Sequence, residues 1–287
     1  MKDQTPNPQS VTVVAPAKLN LTLDITGLAE NGYHLVDMLM QTVSLYERVR
    51  IEKDSDLTVT LPHSYVPGGK NNTAYQAAVA FFQHTGLLAG AKITIYKSVP
   101  VRAGMAGGSA DAAAVLVGLN DLYHAKLSMD ELCEIGLTVG ADVPFSIKGG
   151  TMRVTGIGEV MEPLPSCPRC WFTVVMPQAG VSTPQAYALY DEKGTDIRPN
   201  NEGAVQALQE NDWYPAHGMR GTGCADDRQR RGCVRCICHR TAGAARQRSA
   251  LPQLPQLLGA APRPARCTYP GQALRRCPSP QSKTQNA

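Results

Sequence analysis

Apolar and polar residues alternate near the start of the chain in the way that half-buried strands require. In Leu19–Ile25 every second residue is Leu or Ile, and Asn20, Thr22 and Asp24 lie between them. Other short apolar or β-branched runs predict strands at Val11–Val14, Met38–Leu45, Val49–Glu52, Leu57–Leu61, Ala91–Tyr96 and Trp171–Met176. We expect the last of these strands to open a second domain.

Helical spacing of apolar residues follows in several segments. In Asn72–Thr85 the apolar residues recur at helical spacing, and Gly86 marks the end. The other predicted helices are Ser109–Leu122, Ser128–Val139, Thr183–Tyr190 and Asn201–Gln209. Ser128, followed three residues later by Glu131, forms the capping-box pattern. Because strands and helices mix without regular βαβ alternation, the predicted fold class is α+β.

A glycine-rich segment, Pro100–Ala113, lies between a predicted strand and a predicted helix. Glycines let the backbone approach an anion, and the N–H groups and dipole of the following helix attract negative charge. The segment has neither the Gly-Lys-Ser/Thr of a Walker A loop nor the Rossmann spacing. A tight turn with packing glycines is the alternative interpretation. The strand–loop–helix context favours a triphosphate site.

Composition divides the chain into two parts. Residues 1–216 hold 15 Lys and Arg against 22 Asp and Glu, a net charge of −7, whereas residues 217–287 hold 13 against 2, a net charge of +11. Six of the nine cysteines also lie in this tail. We find no apolar run long enough to span a membrane and no secretory signal, so we expect a cytoplasmic protein.

Several motifs together resemble the GHMP small-molecule kinases. Besides the glycine-rich segment, the similar stretches are Ala15–Leu21, Asn31–His34, Gly140–Phe145, Gly149–Thr151, Gly156–Glu159, Val181–Pro184 and Asn211–Asp212. The likeness covers about Val11 to Asp212. Within the family, Pro-Ala-Lys-Leu-Asn followed by Asn-Gly-Tyr-His is typical of the branch that acts on 4-diphosphocytidyl-2-C-methyl-D-erythritol.

The resemblance implies a two-domain GHMP fold. It implies an ATP-binding N-terminal domain at 11–165, similar to ribosomal protein S5 domain 2, preceded by a flexible N-terminus at 1–10. A ferredoxin-like C-terminal domain would begin at 166–216 and remain incomplete. The implied reaction is ATP-dependent phosphorylation of the substrate's 2-hydroxyl in non-mevalonate isoprenoid (terpenoid) biosynthesis.

Two residues are expected to be catalytic. The resemblance implies that Asp142 is the general base for the acceptor hydroxyl, and that Lys18 lies beside it and stabilises developing charge. From the residues alone, Asp142 could instead cap a helix, and Lys18 could be a solvated lysine at a strand edge.

The resemblance also assigns residues to ATP and to the cytidyl substrate. The predicted ATP-binding residues are Pro100, Val101, Arg102, Ala103, Gly104, Met105, Ala106, Gly107, Gly108, Ser109 and Ala110. The predicted substrate-binding residues are Asn20, Tyr33, His34 and Tyr187, although His34 could be structural and Tyr187 could belong to the core. Ser109 and Asp111 are candidates for phosphate or Mg²⁺, with N-capping as the alternative. We assign no protein metal site.

The tail lacks the family's third glycine motif. Asp226–Arg240 can be encoded by codons whose next reading frame reads Met-Thr-Gly-Ser-Gly-Ala-Ala-Val-Phe-Gly, which restores that motif. We therefore hypothesise a single-base frame change between about Trp213 and Gly221. It predicts an aberrant, disordered tail at 217–287, poor solubility and little or no kinase activity in this copy.

Two other functions stay open on the sequence. One is another GHMP kinase, for example one acting on homoserine or mevalonate. The other is a non-catalytic zinc- or nucleic-acid-binding protein built on the tail, using Cys233, Cys236, Cys238 and His239, with Cys167 and Cys170 completing a zinc site. The main prediction is a small-molecule kinase with ATP and Mg²⁺, and with neither a nucleic-acid nor a membrane partner.

Overall fold

Two long antiparallel strands form the centre of the computed structural model, which describes residues 9–167, 170–175, 183–195 and 198–210, and the strand segments 235–239, 265–266 and 275–276. The strands are β1 (Ser10–Leu28), β2 (His34–Asp54), β3 (Leu57–Thr60), β4 (Gly90–Tyr96), β5 (Thr151–Gly156), β6 (Val160–Pro163), β7 (Trp171–Val175), β8 (Arg235–His239), β9 (Ala265–Arg266) and β10 (Arg275–Arg276). The helices are α1 (Thr73–Thr85), α2 (Gly107–Tyr123), α3 (Met129–Val139), α4 (Val143–Lys148), α5 (Thr183–Lys193) and α6 (Asn201–Gln209).

The main sheet has the strand order β10-β1-β2-β4-β3. β2 pairs antiparallel with β1 along most of its length, while its two halves pair separately with β5 and β4. β3 runs parallel to β4, and β6 extends the sheet beyond β5. A second, antiparallel sheet has the order β8-β7-β9. This mixture of strand directions and helices confirms the α+β fold class.

Four predicted strands are in fact halves of two long ones. Val11–Val14 and Leu19–Ile25 both lie in β1, and Met38–Leu45 and Val49–Glu52 both lie in β2. The β1–β2 register shifts between Pro16 and Ala17 and at two later points. Such bulges change which side chains face the core without ending the strand, so the alternation looks interrupted in the sequence.

The largest core cluster is formed by α1 to α4 together with side chains of β1 to β4, whereas α6 packs in a second cluster with residues of β1, β2 and β7. α2 is buried on almost every side, and its Gly118 lies so close to the sheet that an added Cβ would come within 2.4 Å of Ile51 Cδ1. The capping box predicted at Ser128 and Glu131 is present. The sequence reading missed α4, β5 and β6, which are too short to show a clear period.

Polar contacts attach α6 to the main sheet. Arg153 of β5 donates to both carboxylate oxygens of Asp37, at 3.0 and 2.8 Å, and to Glu202 at 2.6 Å. Asn201 Nδ2 donates to the Asp37 carbonyl at 2.9 Å. These contacts hold the start of α6 against β2 and β5.

The predicted domain boundaries stay predictions. Of the N-terminal segment 1–10, residues 1–8 lie outside the described part, and Ser10 already begins β1. Apart from its three short strand segments, the predicted tail 217–287 also lies outside it. Among the described residues no helix is long and apolar enough to cross a bilayer.

Candidate active site

Asp142 lies in the short link between α3 and α4, where it presents its carboxylate to the site. It occupies the position before the first residue of α4, but its side chain makes no capping hydrogen bond. The side chain is 34% exposed. The capping interpretation is therefore wrong, and the carboxylate is available to a ligand.

Lys18 is the cation beside this carboxylate. It lies in β1 opposite Thr42 of β2, and its side chain is only 7% exposed. Its Nζ atom is 3.6 Å from Asp142 Oδ2 and donates to Asn20 Oδ1 at 3.0 Å. The solvated-edge interpretation of Lys18 is therefore wrong. A buried ammonium, a carboxylate and an amide thus meet at one point, although Lys18 and Asp142 are 124 positions apart in the sequence.

The glycine-rich loop contacts the strand that carries Lys18. The Lys18 backbone N–H donates to the Met105 carbonyl at 3.2 Å, so the loop is bonded to the strand that carries the cation. Arg102, Gly104 and Ala106 all have positive φ, at 60°, 67° and 54°. Ala106 precedes α2 and makes no side-chain capping hydrogen bond.

The first turn of α2 therefore offers its N–H groups at the end of a tight loop. This geometry fits a phosphate group, because an uncapped helix N-terminus combines free donors with a favourable dipole. Thr73 Oγ1 donates to the Gly108 carbonyl at 2.8 Å, which ties the turn to α1. The glycines also serve close packing, since an added Cβ at Gly108 would lie 3.2 Å from Thr73 Oγ1.

The structure corrects the expectations for Ser109 and Asp111. Neither caps α2, because the helix begins two residues before Ser109. Asp111 does not face the phosphate site: it is 3% exposed and accepts a hydrogen bond from Lys97 Nζ at 2.8 Å. Ser109 remains half-buried at the loop. In the part of the chain that the structure describes, no group of three or more His, Cys, Asp or Glu residues could hold a metal ion.

Aromatic side chains form the other end of the site. The rings of His34 and Tyr187 stack at a centroid distance of 4.4 Å and an angle of 19°. Burial, and then the negative charge of Asp142, raise the pKa of Tyr187, so this ring lies within electrostatic reach of the candidate base. Tyr33 is 64% exposed at the Asn31 turn.

The sequence analysis missed Asp191, which bonds to His34. Its Oδ1 atom is 2.7 Å from His34 Nε2. Asp191 lies four residues after Tyr187 in α5, and residues at that spacing share one face of a helix. That spacing was a usable signal, but nothing local connects it to His34, which is 157 residues away.

Cys167 and Cys170, the two candidate zinc ligands outside the tail, are buried in an apolar cluster with Phe172 and Leu208. The other cysteines of the zinc alternative belong to the tail, about whose side chains the structure says nothing. Their role stays an open prediction.

Comparison with known proteins shows which class of protein the chain belongs to. The profile of the GHMP kinases N terminal domain matches residues 72–150, which include the glycine-rich loop and Asp142. A homoserine kinase from Cytophaga hutchinsonii shares the fold, with a TM-score of 0.56 at 19% identity over 72% of this chain and 70% of that chain. The fold and the loop are those of a GHMP kinase.

Proteins with higher sequence identity to this chain identify the family within the GHMP kinases. The 4-diphosphocytidyl-2-C-methyl-D-erythritol kinase of Clostridium perfringens is 45% identical over 200 residues, 69% of each chain. That of Alkaliphilus metalliredigens is 39% identical over 212 residues, 73% of each chain. A crystal structure of 4-(cytidine 5'-diphospho)-2C-methyl-D-erythritol kinase matches with a TM-score of 0.60 and 33% identity, over 72% of this chain and 75% of that chain. The chain belongs to this kinase family.

Proposed function

We propose that the chain is built to transfer a phosphoryl group from ATP to the 2-hydroxyl of 4-diphosphocytidyl-2-C-methyl-D-erythritol, a step of isoprenoid biosynthesis. The observation that carries this proposal is the Lys18–Asp142 pair, 3.6 Å apart and bonded through the Lys18 backbone to the glycine-rich loop. The family's other kinases that act on homoserine or mevalonate share only the fold, at 12–19% identity.

Each end of the site has a task in this reaction. Asp142 takes the proton of the acceptor hydroxyl as the new O–P bond forms, while the bond between the β- and γ-phosphates breaks and ADP leaves. Lys18 stabilises the negative charge that develops on the acceptor oxygen, and Asn20 orients the polyol. The backbone N–H groups of the glycine-rich loop and of the first turn of α2 hold the phosphates.

Mg²⁺ would accompany ATP and neutralise its phosphates. Mg²⁺ binds through phosphate oxygens and water with few protein ligands, so the lack of an acidic cluster in the described residues is compatible with it. Ser109, beside the loop, is the side chain that we propose for this contact.

The aromatic end would bind the cytidyl group. Tyr33 and Tyr187 offer ring faces for stacking, and His34 offers a ring nitrogen to the base, held in place by Asp191. Stacking depends on contact area, which the half-buried ring of Tyr187 and the exposed ring of Tyr33 can both supply.

The residues after Ala216 require a separate proposal. The C. perfringens and A. metalliredigens kinases leave more than a quarter of both chains unmatched, as expected if this chain left the family's frame near Trp213. Sequencing the coding DNA tests this directly: absence of a frame that encodes Gly-Ser-Gly would exclude the idea. We call the chain that continues in the neighbouring frame the restored chain.

The reaction itself is tested by ADP release. We expect the restored chain to turn over the cytidyl substrate and to ignore homoserine and mevalonate, and the chain printed here to be much slower. Equal turnover by both chains would refute the proposed damage, whereas turnover of another acceptor only would refute the proposed substrate.

A further inference from the structure

Three charged side chains from three elements meet beneath the glycine-rich loop. Glu47 of β2 is fully buried, Lys97 directly follows β4, and Asp111 lies in α2. Lys97 Nζ is 2.5 Å from Glu47 Oε1 and 2.8 Å from Asp111 Oδ2. We name these three residues the buried triad. None of them has a task in the phosphoryl transfer described above.

The buried triad holds both ends of the loop. At the start, Lys97 belongs to it, and the Ser98 backbone N–H donates to Glu47 Oε2 at 2.8 Å. At the far end, Asp111 anchors the first turns of α2. Between them, an added Cβ at Gly107 would lie 3.3 Å from both Glu47 Oε1 and Lys97 Nζ, so the loop backbone rests on the triad.

Stability alone does not account for this arrangement. Two carboxylates share one ammonium, and Asp111 Oδ1 accepts no hydrogen bond from the described residues. Replacing a buried charged triad with well-packed apolar side chains of similar volume is often neutral or stabilising, because buried charges lose their hydration. The buried triad instead fixes the separation between the two ends of the loop. The loop itself contains three residues with positive φ.

We propose that Glu47, Lys97 and Asp111 are positioning residues that clamp the two ends of the glycine-rich loop and thereby hold its N–H groups in the geometry that binds phosphate. The phosphate part rests on the proposed function. The clamp itself is a property of the ligand-free chain.

A charge-free triple variant, Glu47→Gln with Lys97→Met and Asp111→Asn, tests the clamp without leaving a lone buried charge. Hydrogen exchange followed by mass spectrometry is read on peptides covering residues 98–108 of the ligand-free full chain. We expect exchange there to be about tenfold faster, as for the loss of one charge-assisted hydrogen bond, with little change in thermal stability. Ile93→Val, in the same core but away from the loop, is the control.

Asp111→Ala is the second variant, because it leaves the neutral Glu47–Lys97 pair and suits a helix. Hydrogen exchange should then be faster near Gly107, and the increase in its rate should be smaller near Ser98. If the hydrogen-exchange rate of the loop in both variants is no faster than in the Ile93→Val control, the clamp is overturned.

Calorimetric titration with Mg²⁺–ADP separates the two proposals. In the restored chain, a dissociation constant about tenfold weaker in the triple variant supports the phosphate part of the proposal. Faster loop exchange in the triple variant, with no ADP binding by the restored chain itself, would support the clamp and count against the proposed function. If loop exchange is unchanged and ADP binds normally, the clamp is overturned and the proposed function is supported.

Discussion

The two ends of the proposed active site rely on different kinds of contact. At the reacting end, a buried ammonium meets a carboxylate: Lys18 is 7% exposed and its backbone is bonded to the loop, while Asp142 is 34% exposed. At the aromatic end, the half-buried rings of His34 and Tyr187 stack on each other, and Tyr33 is 64% exposed. Charge acts strongly where water is excluded and the groups are held in advance, whereas stacking depends on contact area. Substitutions should therefore have larger effects at the end that works through charge.

The largest effect is expected for Asp142→Asn in the restored chain. Losing the general base should lower kcat by about 10²- to 10⁴-fold, with little change in the KM for ATP. ADP release measures both constants. Asp130→Asn is the matched control, since Asp130 is 82% exposed and pairs only with Lys148 among the described contacts. A loss of less than tenfold would remove Asp142 from the role of base.

The next effect concerns the pH dependence of stability at the buried triad. Burial raises the pKa of Asp111 to about 7, opposed by Lys97 and reinforced by Glu47. A raised carboxyl pKa contributes stability at pH values below the ordinary value near 4, and this contribution is lost as the pH rises through 7. The effect is on the order of 1.4 kcal/mol for each unit of difference.

Asp111→Asn removes this dependence. The stability of Asp111→Asn relative to the parent should therefore rise between pH 4 and 7 and level off above, as measured by urea unfolding. A relative stability that stays constant over this range contradicts the raised pKa of Asp111. Asp130→Asn again serves as the control.

A smaller effect is expected for Tyr187→Ala at the aromatic end. Loss of a ring that stacks on a base costs roughly 1–3 kcal/mol, so the KM for the cytidyl substrate should rise about 10- to 100-fold while kcat changes little. Tyr187→Phe should retain most of the affinity, and Tyr65→Ala, at an 81% exposed tyrosine elsewhere, should have no effect. A fall in kcat at unchanged KM would mean that Tyr187 acts at the reacting end.

The smallest effect is expected at Glu131, in the capping box of α3. Hydrogen bonds from the Ser128 backbone and side chain lower the pKa of this exposed carboxyl. A lowered pKa contributes stability above the ordinary value, and the contribution is lost as the pH falls through the lowered one. Glu131→Gln should weaken this acid dependence in thermal melts from pH 6 to 2, and identical melts of both proteins would contradict the assignment.

Parts of the fold could be predicted from the sequence because they depend on residues close together in the chain. The capping box at Ser128 depends on residues three apart, and the loop at Gly104–Gly108 depends on glycines between a strand and a helix, so both could be predicted. The break between Val14 and Leu19 was misread as a strand end because a bulge changes the alternation without ending the pairing.

The sequence by itself determined the family, the glycine-rich loop and the residue types of the Lys18–Asp142 pair, since these are carried by short contiguous motifs. Only the tertiary structure decided that Lys18 is buried, that Asp111 turns into the core toward Lys97, and that Asp191 reaches His34. Each of these contacts joins residues that are 14 to 157 positions apart. Their distances follow from how β1, β2 and the helices pack, because burial and charge pairing depend on the whole core rather than on neighbouring residues.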